Sequence, residues 1–332
     1  ARGSGARGSR RASTTLRTVG GDPFREPPRA AATAAAAEGS SSGSASTSTS
    51  SSSDASPPAA AAASQRRRLY SVDDIRHPLD ASNTRILRSI PGLSTAIKAL
   101  VGPVAEQMLM LEQVASSVRV GPEQVPHLHA LLVEAAEVLG MAETPSLYLR
   151  QSPVPNAYTL AINGKKPIIV VHTSLVELMT EKEVQAVIAH EMGHLRAEHG
   201  VWLTAANILT SGAFATLPPF LTDSLQDSLM RWLRAAELTC DRAALLVVKD
   251  PKIVVGVLMK LAGGSPKLEL NVDAFLEQAR SWDEASANPL GAFLRNAQTR
   301  NLSHPLPVAR AREIDEWSRS SAFQRLIKDA DA

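Results

Sequence analysis

The chain has 332 residues, 35 Lys and Arg against 33 Asp and Glu, 44% hydrophobic residues and one cysteine, which is enough for one or two domains with a real core. A lone Cys240 excludes a disulfide framework and any Cys-based zinc finger or iron–sulfur site. A net charge of +2 argues against binding by phosphate neutralisation, so no nucleic-acid partner is expected.

The charge is unevenly divided. Residues 1–68 hold ten Arg, no Lys and four acids (Asp22, Glu26, Glu38, Asp54), a net +6, which leaves −4 for residues 69–332. This segment is almost all Ala, Ser, Thr, Gly, Arg and Pro, with an unbroken Ser40–Ser53 run, and its only larger apolar residues are Leu16, Val19 and Phe24. So little apolar surface cannot offset the entropy of ordering, and the segment is expected to be disordered. Being Arg- and Ser-rich, poor in acids and without the apolar core of a secretory signal, it reads as an organelle transit peptide and linker.

From Leu69 onward apolar and charged residues alternate without internal repeat, and one domain over 69–332 is the simplest account. Val104–Val118 and Glu123–Leu139 carry apolar residues at helical spacing, the second begun after Pro122 and stopped by Gly140. The period then shortens. Ser146–Arg150, Ala157–Ile162 and Pro167–His172 read as strands, with Asn163-Gly164 suited to a tight type I′ turn because both residues accept positive φ. Thr180 and Glu183 form a capping-box signature ahead of Val184, Val187, Ile188 and Leu195, which predicts a helix over Glu181–His199. Further helices are predicted at Asp223–Lys249, Pro251–Leu261, Val272–Ala279 and Leu306–Ser318. The uncharged stretch Val201–Thr222 is a poor bilayer span, since Asn207, Pro218 and Pro219 interrupt it. It reads as a buried helix and lid in preference to a surface dipping into lipid, with Leu93–Leu111 the other candidate for shallow lipid contact. The expected fold is mostly α with a small β-sheet (α+β), the sheet placed before the central helix.

That helix carries His190-Glu191-Met192-Gly193-His194. Four residues on a helix rotate by about 40°, so both imidazoles project from one face one turn apart, which is metal-chelating geometry. Glu191 stands beside that face in the general-base position of zinc peptidases. Gly193 costs about 1 kcal/mol relative to Ala inside a helix, and is easier to explain if another backbone or the metal cage must come close. A catalytic zinc needs a third protein ligand and an open position. The HExxHxxGxxH arrangement fails, because Ala197 and Gly200 stand where it needs a glycine and a ligand. His199, about 140° around a continuous helix from His194, reads as a histidine at the C-terminal dipole or on the surface. Glu237 and Asp241 share a face of a later helix at i, i+4: Glu237 would ligate the zinc, and Asp241 would accept a hydrogen bond from the non-ligating nitrogen of a zinc-bound His. Cys240 between them reads as a small packed residue.

His190–His194, then Glu237-x-x-x-Asp241-Arg242, preceded by Asn156-Ala157-Tyr158 and followed by His304-Pro305 through Arg310, resemble in kind and order the zinc metallopeptidases of family forty-eight. This is the group of HtpX and the type I CAAX prenyl endopeptidases, and the resemblance spans residues 100–318. Gly102–Gln107, Pro153–Tyr158 and Ser303–Pro307 are most similar to its plant chloroplast branch, associated with plastoglobules. The resemblance implies a zincin-type (gluzincin) zinc-dependent endopeptidase with one Zn2+ per chain. Asn156, Ala157 and Tyr158 would border the cleft and pair with a protein or peptide substrate as an added strand. His304 would help stabilise the oxyanion, and Arg310 would have a structural or electrostatic part. It implies a chloroplast location, at plastoglobules or thylakoids in protein turnover, with a lipid monolayer or membrane surface as partner. Two rivals remain. A mitochondrial quality-control protease of the same family is disfavoured by a Ser/Ala tract lacking an amphipathic Arg helix. A non-catalytic lipid-surface protein stabilised by zinc is disfavoured by Glu191, since a structural site has no need of a base.

Overall fold

The computed structural model describes residues 70–160, 166–210, 219–299, 302 and 304–331. The transit segment expected over 1–68 and the Asn163-Gly164 turn lie outside them. In chain order the elements are α1 (Val72–Ile75), α2 (Pro78–Arg88), α3 (Leu93–Ser116), β1 (Val118–Arg119), α4 (Pro126–Val138), β2 (Ser146–Arg150), β3 (Ala157–Leu160), β4 (Ile168–His172), α5 (Thr173–Leu178) and α6 (Glu181–Arg196). They continue with α7 (Gly200–Thr210), α8 (Pro219–Val248), α9 (Pro251–Gly263), α10 (Val272–Ala285), α11 (Pro289–Thr299), α12 (Pro307–Ser318) and α13 (Ser321–Asp331). The architecture is mostly helical with one small sheet, as the sequence pattern predicts.

The sheet has the order β1-β2-β4-β3, with β2 and β4 parallel and both outer pairs antiparallel. β4 is buried along its whole length, which is why it reads as a continuous apolar run rather than an alternating one. Its Ile169 and Val171 enter the main core, while Ile168 and Val170 pack with Tyr148, Tyr158, Leu160 and Met110 in a smaller cluster. Among the described residues β3 pairs only with β4. His172 N donates to Asn156 O at 2.9 Å. In an alternating antiparallel ladder this leaves the main-chain groups of Ala157 and Thr159 facing the free edge.

α6 opens at the predicted box. Thr180 Oγ1 accepts from Glu183 N, and Glu183 Oε2 accepts from Thr180 N at 2.7 Å and from Lys260 Nζ on α9 at 2.7 Å. The helix lies along α8, which joins two clusters. Leu229, Met230, Trp232, Leu233 and Ala236 pack with Leu87, Ile97, Trp202, Ala205 and Ala206, whereas Ala243–Val247 enter the main core. Glu237 and Asp241 fall at the junction, on the face turned to α6.

Several limits differ from the sequence reading. α6 stops at Arg196 rather than His199, because Glu198 takes φ +57° and turns the chain. The helix predicted over Val104–Val118 starts at Leu93 and ends at Ser116, Val118 joining β1. α1, α2, α5, α11 and α13 occur where the pattern predicts no element. In α7, Trp202, Ala205 and Ala206 are buried, so the start of the Val201–Thr222 stretch is a packed helix; residues 211–218 lie outside the described residues. No described helix is long and apolar enough to cross a membrane.

Candidate metal centre

α6 and α8 meet at Gly193, where a Cβ would lie 2.9 Å from Cys240 Cα and 3.1 Å from Ala243 Cβ. Overpacking costs about 1–3 kcal/mol, more than the roughly 1 kcal/mol that Ala gains over Gly inside a helix. Gly193→Ala is therefore expected to lower the unfolding free energy in urea by up to about 2 kcal/mol, opposite in sign to the same change at an open helical position.

This crossing gathers the residues singled out by the sequence. His190 Nε2 is 3.4 Å from Glu237 Oε2, and His194 Nε2 is 3.3 Å from Glu237 Oε1. One turn further along α8, Asp241 Oδ1 lies 3.1 Å from His190 Nδ1. Arg310, on α12, grips Asp241 bidentately, Nη2 donating to Oδ1 at 2.6 Å and Nε to Oδ2 at 2.7 Å. Arg310 Nη1 is also 3.2 Å from Glu237 Oε2, and His304 Nδ1 approaches the same oxygen to 3.0 Å. Glu191 is buried and accepts a 2.8 Å hydrogen bond at Oε2 from Thr159 Oγ1, which also lies 3.2 Å from Glu191 O.

Thr159 is the contact between β3 and this cluster, and the sequence reading passes over it. Strand alternation could have found it, since Thr159 shares a face with Ala157. The side chain of Tyr158 points to the other face, donating to Gln113 Oε1 at 2.8 Å and accepting from Arg150 Nη1 at 3.1 Å. Asn156 Oδ1 accepts from Ala157 N at 2.9 Å. The structure thus brings His190, Glu191, His194, Glu237, Asp241, His304 and Arg310 together, and sets Asn156 and Ala157 along the neighbouring strand.

At His190, Glu237, Asp241 and His304 burial opposes charge, and the partners override it. Against burial, Glu237 and then Asp241 hold the His190 imidazolium up to about 10. Burial pushes the Glu237 carboxyl up, yet His304, Arg310 and His190 hold it well below the ordinary carboxylate range. Asp241 is lowered likewise by Arg310, and Glu237 raises His304 against burial. Glu237 Oε2 is thus held by ion pairs with His190, His304 and Arg310. Two imidazole nitrogens converging on one buried carboxylate form a donor set that fits a divalent cation such as zinc.

A second grouping is also present, with donor atoms of His190, His194 and Cys240 within 4.8 Å of one another. Burial, then Glu237, Glu191 and Asp241, push the Cys240 thiol well above its ordinary value. They disfavour the thiolate, which is the form that binds metal.

His199 corrects the sequence reading. The wheel argument assumes a helix that continues, but α6 has ended three residues earlier and the chain turns at Glu198. His199 is 0% exposed, with its Nδ1 3.1 Å from His194 Nδ1. It is neither a surface residue nor turned away from the site.

Compared with known proteins, residues 122–318 match the profile of Peptidase family M48. The chain belongs to peptidase family M48. It is 64% identical over 263 residues to the plastoglobule-localized metallopeptidase 48, chloroplastic, of Arabidopsis thaliana, covering 78% of this chain and 76% of that one. It is 26% identical over 182 residues to a Protease HtpX homolog of Moorella thermoacetica, covering 45% of this chain and 59% of that protein. A Protease HtpX homolog 2 of Methanosarcina mazei is 24% identical over 170 residues, covering 43% and 58%. No solved structure matches the chain. As a member of family M48 the protein is a metalloendopeptidase.

Proposed function

We propose that this M48 peptidase is a zinc-dependent gluzincin in which His190, His194 and Glu237 hold one zinc ion, Glu191 is the general base and His304 an oxyanion donor. The carrying observation is the convergence of both imidazole Nε2 atoms on the two oxygens of one buried carboxylate, Glu237. Zinc, when bound there, supplies Lewis-acid polarisation of a carbonyl and acidifies water. Asp241 accepts from His190 Nδ1, which leaves the Nε2 lone pair for the metal, and Arg310 holds Asp241 in that orientation. Glu191, oriented by Thr159, takes up a proton during attack and returns it to the leaving amine. The free edge of β3 supports substrate binding by strand addition through the main-chain groups of Ala157 and Thr159. Asn156 Oδ1, now on Ala157 N, would swing aside for the substrate. The fixed orientation of Glu191 also speaks against a non-catalytic zinc protein, which has no use for it.

The name of the Arabidopsis relative supports a plastid location at plastoglobules. On this reading the protein serves protein turnover there, and the Arg- and Ser-rich composition of residues 1–68 supports their part as transit segment and linker. Met108, Leu111 and Val114, exposed near the end of α3, offer shallow apolar surface for a lipid monolayer.

Zinc titration tests the metal reading. Below a pKa of about 10 the metal-free His190 carries a proton that zinc must displace. Calorimetry in buffers of different ionisation enthalpy is expected to show one zinc per chain and release of at least about one proton at pH 7. Apparent affinity should rise roughly tenfold per pH unit below that pKa. Absence of stoichiometric zinc, or a zinc-loaded protein that cleaves no unfolded protein substrate, would defeat the proposal.

A further inference from the structure

We propose that Asp80 and His199 form a buried relay that fixes the ring tautomer of His194, making both of them positioning residues for the metal centre. Both are 0% exposed, and the functions assigned above leave them unused. The inference rests on reading His194 as a metal ligand.

The two Nδ1 atoms of His194 and His199 are 3.1 Å apart, with the rings edge to face at 5.2 Å between centroids. At that distance one nitrogen donates and the other accepts. The far side of His199 decides which, since its Nε2 faces Asp80 Oδ2 at 3.2 Å and a carboxylate only accepts. The ring proton of His199 therefore sits on Nε2, and its Nδ1 is the acceptor. His194 must then donate from Nδ1, which leaves the lone pair of its Nε2 directed toward Glu237 Oε1, 3.3 Å away.

Asp80 is itself locked. Thr84 Oγ1 donates to Oδ1 at 2.9 Å, while Thr239 Oγ1 at 2.9 Å and Arg76 Nη1 at 3.3 Å donate to Oδ2. Trp232 Nε1 donates to Thr84 Oγ1 at 2.8 Å, and His77 N donates to Thr239 Oγ1 at 3.0 Å. Each hydroxyl, already receiving one hydrogen bond, turns its own proton to Asp80. The two imidazoles of the centre are thus oriented by different routes: Asp241 accepts a hydrogen bond from His190 Nδ1 directly, whereas Asp80 acts on His194 through an intervening ring.

The test uses the full chain. In zinc-loaded, 15N-labelled protein, long-range ring correlations are expected to place protons on His194 Nδ1 and His199 Nε2; a proton on His199 Nδ1 overturns the relay. His199→Leu removes the acceptor, while His199→Gln keeps a carbonyl for His194 and an amide donor for Asp80. By chelator competition His199→Leu should bind zinc about 10- to 100-fold more weakly, with a shifted absorption spectrum of the cobalt-substituted protein. His199→Gln should restore most of both. Unchanged affinity and spectrum in the Leu variant, or equal losses in Leu and Gln, overturn the proposal. Melting of the metal-free proteins monitors folding, and if the Leu variant does not fold the wild-type tautomers decide. Wild-type zinc affinity in His194→Ala would instead remove the ligand reading beneath the relay.

Discussion

Replacing Glu191 by Gln is expected to leave zinc binding at the wild-type level and to lower peptide hydrolysis by at least about 100- to 10,000-fold, the range that a positioned acid–base group contributes. Gln has the shape of Glu, fits the same buried space on α6 and can still accept from Thr159 Oγ1 through its amide oxygen. What it lacks is an ionisable oxygen to take up a proton. The loss should appear in kcat with little change in KM, because in the proposed role Glu191 acts on the reacting atoms rather than on substrate affinity. Metal content measured on the same samples separates this outcome from damage to the site. Substantial turnover in a zinc-loaded Glu191→Gln protein would mean that another group is the base.

Glu237→Ala should have the second large effect, on the metal itself. It removes the carboxylate on which both Nε2 atoms converge and takes one counter-charge from His304 and Arg310. Zinc affinity is expected to fall by more than the roughly 10- to 100-fold that accompanies loss of a partner behind a ligand, with activity at background. Removing one member of a buried charged set costs about 3–5 kcal/mol in stability, so Glu237→Gln, which keeps the volume, belongs beside it. Elemental analysis and thermal melting read both effects. Wild-type zinc content in Glu237→Ala would transfer the third-ligand role to Cys240, the other donor near the two imidazoles, and Cys240→Ser should then lose the metal.

The parts of the site that the sequence makes legible are those encoded locally. The capping box and the four-residue spacing place His190, Glu191 and His194 on α6, and the same spacing pairs Glu237 with Asp241 on α8. What escapes is encoded by packing. α2 leaves Leu79 and Ile86 at 55% and 53% exposure while burying Asp80 and Thr84. This inverts the usual amphipathic reading, because that helix presents its face to hydroxyls, a guanidinium and an imidazole as well as to apolar side chains. His199 escapes for a different reason: a single left-handed residue, Glu198, invalidates the helical wheel from which its direction is read. His304 and Arg310 are reached through family resemblance alone, since nothing in their spacing says that α12 returns to α8.

The absent side chain at Gly193 also has a bearing on which ion the centre accepts. The helix faces that carry the proposed ligands come together at a residue with no side chain, close against Cys240 and the Cβ of Ala243, so the gauge of the proposed cage depends on that close approach. Zinc bonds to nitrogen and oxygen run at about 2.0–2.2 Å, and calcium bonds to oxygen at about 2.3–2.6 Å. Helix separation would therefore add a size preference to the one that imidazole nitrogens already give against calcium, which prefers oxygen ligands. A methyl group at position 193 would act as a wedge between the two helices, one residue before His194, and on the proposed ligand set would relax that size preference as well as loosen the packing.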